Sequence, residues 1–499
     1  MGVTTLVLSD EDVRAAATAF LSAAFTVLEE QRVVARPRWD PYLRVGRDYW
    51  GPDLMFLPEF KRFEQVLNTH FSERFDKPLG ARGREFPNGY AFGLLEACIA
   101  HLTVRDEAFD SQSATVRTCI DELLRTLAAP EHEVACCRLV SHMTTGDGAP
   151  AEIGNVTVVP ISVTPSSAWR DIDDQLEQVI PAATVAFNRD RPLAHDPPES
   201  LLVVRGRSAA DSFEEMTRLS SEIDRFMMLI RLLFAGTAEP FFEVRGETQL
   251  VRYVSPVFAQ FRRSRRSLIR RTTRLSAADS APISALGELI DTLGVERTNM
   301  VVTSFDMALL KFSSSYLGEP WFEQVVDLST ALEAVLSGTH KEDIGLRLRS
   351  RASALLSGPG DPGRDIFQDV GELYGLRSEL VHGGTLKLKC VRKALQRLST
   401  PSAGMMEGVQ VALGVDRLRD LVRRAILARI ILASGYEPLW PLRGDVAVDA
   451  ALAEDAERDR WRSTWREELA AIGAASAADR ARPAADALRD DPPLQADPR

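Results

Sequence analysis

Residues 372–384 read ELYGLRSELVHGG. At about 100° per residue on a helix, Ile366, Val370, Leu373 and Leu380 form one apolar stripe, flanked by Phe367, Tyr374, Leu376 and Val381. Arg377 falls at the centre of that stripe, between Leu373 and Leu380. A guanidinium left unpaired in an apolar seam costs several kcal/mol. It must therefore meet a carboxylate, line a crevice or face a partner molecule. His382 lies five positions further on, about 140° around the axis, so the two side chains diverge along one straight helix. They serve one site only if the helix ends at His382 or if a second subunit completes the arrangement. Gly383 and Gly384 supply an ending, because glycine accepts the left-handed conformation that closes helices. In the last turn the helix dipole favours an imidazolium. Two readings stay open. Arg377 and His382 form a phosphate site, or Arg377 pairs with a buried acid, Glu333 being the candidate, and His382 caps the helix.

Working outward, helical spacing predicts helices near 296–317, 320–337, 341–357, 364–382 and 407–434, separated by short Gly/Pro/Ser loops. That pattern predicts an antiparallel helix bundle over 296–435. Upstream, 1–128 reads as a helical N-terminal region with helices at 9–33, 91–106 and 113–128 and an aromatic-rich loop around Tyr49–Phe56. The texture then changes. The segments 133–143, 154–165, 200–208 and 241–254 are β-branched and bounded by Gly, Pro and Ser, so they predict strands. With an amphipathic helix at 212–236 between them, they predict a small α+β domain over 129–255. Residues 256–295 read as a basic helical connector. Residues 436–499 read as a short helix at 461–469 and a disordered tail rich in Ala, Asp, Arg and Pro.

Size and composition bound the function. A chain of 499 residues suggests roughly two to four domains. It is 45% hydrophobic and 26% charged, as soluble globular proteins are. The longest apolar run, 226–236, is interrupted by Arg231 and is too short to cross a bilayer, so no membrane association is expected. The N-terminus MGVTTLVLSDED lacks a basic region before an apolar stretch. No signal peptide and a cytoplasmic location are therefore expected. The net charge of −11 argues against coating nucleic acid through bulk charge. Cys98, Cys119, Cys136, Cys137 and Cys390 are irregularly spaced and form no Cys-x-x-Cys pair. They indicate neither a disulfide framework nor a zinc site.

Local motifs narrow the choice further. Gly358, Gly360 and Gly363 spell G-x-G-x-x-G. No strand precedes them, and Pro359 and Pro362 remove N–H groups that a phosphate cradle would use. A turn between helices is the expected structure. No Walker A loop, H-E-x-x-H helix or G-x-S-x-G elbow occurs. The segment 261–274 carries seven arginines and no acid. Among them Arg262, Arg263, Arg265, Arg266, Arg270 and Arg271 are candidate RNA-binding residues, since arginine forks suit phosphate oxygens. A solvated basic helix paired with acidic neighbours is the alternative.

Arg377, polar Ser378, three further residues and His382 give the R-x4-H form of the R-x4-6-H motif. The chain thereby resembles the HEPN superfamily, and LYGLRSELVHGG is most similar to its ApeA-like branch. The segments 325–338 and 344–358 are similar to the helices that precede the motif in that branch, so the resemblance covers roughly 296–435. It implies a mainly α fold: a C-terminal antiparallel HEPN-type bundle preceded by a helical segment and a small α+β domain. It also implies a homodimer that brings two motifs together. The implied activity is metal-independent endoribonuclease chemistry in bacterial anti-phage defence, with no cofactor or metal. Arg377, Ser378 and His382 would be catalytic, Glu333 and Tyr374 supporting. A phage or host trigger would act at the N-terminal domains. The residue after the arginine is often Asn, Asp or His in active members, and here it is Ser378. Some relatives of this kind are non-catalytic dimerisation or binding modules, which is the alternative function.

Overall fold

The computed structural model describes residues 8–30, 53–75, 78–79, 83–84, 87–105, 107–129, 131–161, 198–208, 212–247, 269, 271–293, 303–317, 320–337, 343–381, 388–400, 405–442 and 447–481. The N-terminal helices are α1 (Asp10–Glu30), α2 (Pro58–His70), α3 (Pro87–Val104) and α4 (Ala114–Ala128). Each starts where the sequence supplies a start. Ser9 Oγ accepts from the Asp12 amide at 3.3 Å, and the Asp12 carboxylate accepts from the Ser9 amide at 2.8 Å. Ser113 Oγ accepts from the Val116 amide at the head of α4, and Pro58 occupies the first turn of α2. Their apolar faces meet in one core around Phe20, Phe60, Phe63, Leu95 and Leu123. The helix over 58–70 was not expected from the sequence. Residues 49–52 of the expected aromatic loop lie outside the described residues.

Within the expected α+β segment, residues 162–197 and 248–255 lie outside the described residues. Strands β1 (His132–Ser141), β2 (Met143–Thr145), β3 (Ala151–Ile153), β4 (Val156–Pro160) and β5 (Ser200–Ser208) precede α5 (Ser212–Phe234) and β6 (Glu239–Glu247). A five-stranded antiparallel sheet has the order β3-β4-β5-β1-β6. Cys136 and Cys137 lie opposite Val204 and Val203 on its central strand. Helix α5 packs on β1 and β5.

The C-terminal half holds α6 (Ser280–Thr292), α7 (Ser304–Ser314), α8 (Trp321–Leu336), α9 (Ile344–Leu356), α10 (Gly363–Val381), α11 (Leu388–Leu395), α12 (Glu407–Ala433), α13 (Val448–Ala453) and α14 (Asp455–Ala471). The five helices expected over 296–435 correspond to α7 to α10 and α12. Helix α7 starts at a capping box, where Thr303 and Asp306 each accept the other's amide N–H at 3.1 and 2.9 Å. Helix α12 is the axis of this half: α7, α8, α9, α10, α11 and α14 all pack against it. None of the described helices is long and apolar enough to cross a membrane.

Two expected boundaries give way. One continuous core runs from Val134 on β1 to Ala478, so the α+β segment and the helices share an interior. The connector expected over 256–295 contributes to it. Strand β7 (Thr273–Leu275) pairs in parallel with β2, and Leu275, Ile283, Leu286 and Ile290 are buried. The tail expected to be disordered is also packed as far as it is described. The helix expected at 461–469 forms within α14, with Trp461, Trp465 and Leu469 in the core, and of the expected tail Ala474, Ala477 and Ala478 are buried as well. Trp465 Nε1 donates to the Leu355 carbonyl at 3.3 Å, and Arg466 Nη2 donates to the Ser357 carbonyl at 2.7 Å. These carbonyls sit at the end of α9, where a helix leaves acceptors open. Two tryptophans supply the apolar area that the Ala/Asp/Arg composition concealed.

Helix α12 is buried on every side although its sequence, DRLRDLVRR over 416–424, is heavily charged. Apart from Arg419, which donates to neutral acceptors, the charges over 416–424 are matched internally. The GPGDPG turn closes between Gly358 and Asp361 through backbone bonds of 3.1 and 3.0 Å. This points the Asp361 carboxylate inward, where Arg417 forms a two-pronged pair with it at 2.9 and 2.8 Å and Arg424 and Arg480 join. Arg417 Nε also donates to Asp369 at 2.8 Å. Asp420 accepts from Arg423 at 2.8 Å and from Arg424 at 3.1 Å. The glycine-rich turn is thus a structural clasp, and the nucleotide-loop reading fails for the reason the sequence suggested.

Replacing Asp361 by Ala leaves Arg417 and Arg424 facing each other without their shared acid, and should cost about 3–5 kcal/mol. Urea denaturation of the variant checks this. Burial opposes ionisation of Asp420, but Arg424 and Arg423 hold it down at about 2, below its usual unfolded value of about 3.9. A depressed carboxyl stabilises the fold above the unfolded value and ceases to as pH falls through the folded one. Wild type should lose stability between about pH 4 and about pH 2 more steeply than Asp420→Asn, measured by denaturation at stepped pH.

Candidate functional site

Helices α8 and α10 bring Glu333, Tyr374 and Arg377 together. Tyr374 and Arg377 are three residues apart on α10, hence on one face, and Glu333 reaches both from α8. The Tyr374 hydroxyl donates to Glu333 Oε1, and Arg377 Nη2 donates to Glu333 Oε2 at 3.2 Å. The Arg377 guanidinium carbon lies 5.5 Å from the centre of the Tyr374 ring, within cation–π range. One carboxylate therefore orients a phenol and a cation at once. Glu333 is the acid that the sequence proposes for Arg377.

The position of Arg377 differs from the reading of the bare stripe. Ile366, Val370, Leu373 and Leu376 are buried, whereas Glu379 and Val381 are exposed and Leu380 half-buried. The helix leaves the core at Arg377, which marks the edge of the apolar seam rather than its middle. The Arg377 side chain is 19% exposed, and its buried Nε has no hydrogen-bond partner among the described residues. One bond of 3.2 Å to Glu333 leaves several of the five guanidinium donors uncommitted among the described residues. Ser378 is half-buried next to it. His382, Gly383 and Gly384 lie outside the described residues.

Burial pushes the Tyr374 phenol up, and its hydrogen bond to the Glu333 carboxylate adds to this; together they raise it to about 12. At neutral pH it is a donor only to Glu333 and cannot act as a base.

Of the candidate RNA-binding arginines, Arg262, Arg263, Arg265, Arg266 and Arg270 lie outside the described residues. Arg271 is described, and it is committed within the chain. Its guanidinium pairs with Asp416 of α12, while its backbone exchanges hydrogen bonds with Thr237 at 2.9 and 3.1 Å. With its side chain 14% exposed, Arg271 does not present a free fork to an RNA backbone. Among the described residues no group of His, Cys, Asp and Glu is arranged to hold a metal ion.

Sequence reasoning missed the charged interior around α12, and with it a second cluster formed by Arg231, Arg271, Tyr316 and Arg419. A signal was present. DRLRDLVRR places charges on all sides of a helix that is otherwise apolar in both directions, which is costly on a surface helix and only sensible where acids and bases meet inside.

No family model, no curated protein and no solved structure matches the chain.

The Glu333–Tyr374 bond has a spectroscopic consequence. In Glu333→Gln the Tyr374 ionisation should fall back toward the ordinary tyrosine value of about 10. The difference in phenolate absorbance between each protein and its Tyr374→Phe counterpart, followed from pH 9 to 12.5 on the order of half-unit steps, measures it.

Proposed function

We propose that the chain is a metal-independent endoribonuclease of the HEPN type, acting as a homodimer through its helix bundle. The observation that carries this reading is the oriented but unsatisfied Arg377. Glu333 and Tyr374 fix the guanidinium at the point where α10 leaves the core, with donors to spare for a phosphodiester. His382, five residues on, supplies the proton chemistry. As general base it takes the proton of an RNA 2′-hydroxyl, whose oxygen attacks the adjacent phosphorus. Arg377 stabilises the charge that builds on the phosphoryl oxygens. The bond from phosphorus to the 5′-oxygen then breaks, and an imidazolium, from the same histidine or its copy in the second subunit, protonates that oxygen. The products are a 2′,3′-cyclic phosphate and a 5′-hydroxyl. Ser378 orients a phosphate oxygen or the imidazole. The nucleophile belongs to the substrate, so the mechanism requires no metal. The setting of anti-phage defence rests on the resemblance stated above.

The ion pair between Arg377 and Glu333 favours a second reading. A cation with an internal acid partner is also what a non-catalytic dimerisation or binding module would keep for packing.

RNA cleavage in EDTA separates the two. Under the first reading, Arg377→Ala and His382→Ala should each lower the rate by about 10²–10⁴. Cleavage at the same rate by wild type and both variants would exclude the site. An inactive wild type that is nevertheless a dimer by light scattering would establish the second reading.

A further inference from the structure

The segment FMMLIRLLFAG puts Arg231 inside an apolar run, and its fate in the fold is unusual. Arg231 is 4% exposed near the end of α5. Its Nε and Nη2 donate only to the Ala238 carbonyl, at 3.2 and 2.9 Å. Its guanidinium carbon lies 4.2 Å from the centre of the Tyr316 ring. Arg419, one helical turn from the Arg423 clasp on α12, lies 4.4 Å from the same ring centre. Arg419 Nη2 donates to the Ser315 carbonyl at 3.1 Å and to Gln324 Oε1 at 3.0 Å, both neutral acceptors. Among the described residues neither arginine forms an ion pair. Arg271 completes the group through its pair with Asp416.

Two guanidiniums therefore stack on one tyrosine ring, and the acid nearest this group, Asp416, is already paired with Arg271. Among the described residues, positive charge and donors are both in excess here: the Tyr316 hydroxyl, on a residue only 7% exposed, has no partner among them, nor do Arg419 Nε or Arg271 Nε. A buried donor without an acceptor costs about 1–3 kcal/mol, and a buried cation without an acid costs more. The clasp on the same helix α12 differs in charge, since Arg417, Arg423 and Arg424 each pair with a carboxylate, although Arg423 Nε also has no partner among the described residues. Burial lowers the Arg231 guanidinium to about 10, with Arg419 and Arg138 adding to the effect. It still carries its charge at neutral pH.

We propose that this cluster is a binding site for a phosphate-class oxyanion, held by Arg231 and Arg419 with the Tyr316 hydroxyl as a neutral donor. A tetrahedral dianion supplies the missing negative charge and accepts from forks and hydroxyl alike. Arg419 is the partly exposed member of the pair and Arg231 the buried one. Arg231 belongs to the α+β segment, Tyr316 follows α7 and Arg419 belongs to α12. Occupancy would therefore tie the sheet segment to the helix bundle. The proposal is independent of RNA cleavage at Arg377.

The test uses the full chain in phosphate-free buffer at constant ionic strength. Inorganic phosphate, a nucleoside 5′-monophosphate and chloride are titrated separately by calorimetry, with thermal unfolding read in parallel. Wild type should bind phosphate or the nucleotide saturably at one site per chain and unfold at higher temperature when loaded. Tighter binding of the nucleotide, by tenfold or more, identifies a phosphorylated small molecule; equal binding identifies the free anion. Arg231→Met and Arg419→Met should each weaken binding at least tenfold, and Tyr316→Phe severalfold. Without ligand Arg231→Met should unfold at or above the wild-type temperature, because it deletes an unmatched charge. Absence of saturable binding to folded wild type would overturn the proposal. So would a phosphate effect reproduced by chloride, unchanged affinity in Tyr316→Phe, or an Arg231→Met protein that unfolds well below wild type in the absence of ligand.

Discussion

The C-terminal half depends on seating a charged helix in an apolar interior. Helix α12 is the element that the surrounding helices share, and it carries Asp416, Arg417, Asp420, Arg423 and Arg424 within nine residues. Each would be expelled to water if its charge were unmatched. The fold meets this constraint by bringing acids and carbonyls from distant segments: Asp361 from the turn after α9, Asp369 from α10, and the Leu232, Ala477 and Asp479 carbonyls from α5 and the C-terminal segment. Directional bonds of this kind specify one arrangement where apolar packing alone would tolerate several. The GPGDPG turn and residues 475–481 follow from the same requirement. Neither has enough apolar surface to hold its place without the arginines it caps.

The helices and strands were legible because their signals are local. Apolar periodicity placed α8, α9, α10 and α12 to within a few residues. β-Branched runs bounded by Gly and Pro placed β1 and β5, and Ser9 and Ser113 marked helix starts. The two misjudged segments share a cause. Arg271–Leu275 and Ala474–Arg480 lie in stretches whose polar or Ala-rich composition suggests solvent exposure. What orders them is a small number of strong contacts: a three-residue parallel strand pairing, two buried tryptophans, and arginines that reach open helix carbonyls. Such contacts depend on which chain end lies nearby in space, and no window along the sequence contains that information.

The candidate site was legible to a different degree. The conflict between a cation and an apolar stripe located Arg377 and suggested Glu333 as its partner. The double use of Glu333, by Tyr374 as well as Arg377, could not be foreseen, because it depends on how α8 crosses α10. The stripe also misled in one respect. Periodicity treats a helix as buried along its whole length, whereas α10 passes from core to surface within two turns. The same side chain that would be an error at Leu373 is tolerable at 377, where part of the guanidinium reaches water and part is held by a carboxylate.

Arg377 and Arg231 can be compared directly, since each is an arginine interrupting an apolar run. Arg377 sits at the edge with an acid, and its cost is small because solvent screens what Glu333 does not neutralise. Arg231 sits at depth with a carbonyl and an aromatic face, neither of which neutralises a full charge. A cation–π contact returns about 2 kcal/mol at a desolvated site, less than the several kcal/mol lost by taking the guanidinium out of water. Within the described residues the deficit is one of acceptors and negative charge, located where α5 meets α12. The same interior that matches its charges closely at Asp361, Asp369 and Asp420 leaves Arg231 and Arg419, among the described residues, with only neutral acceptors and the Tyr316 ring.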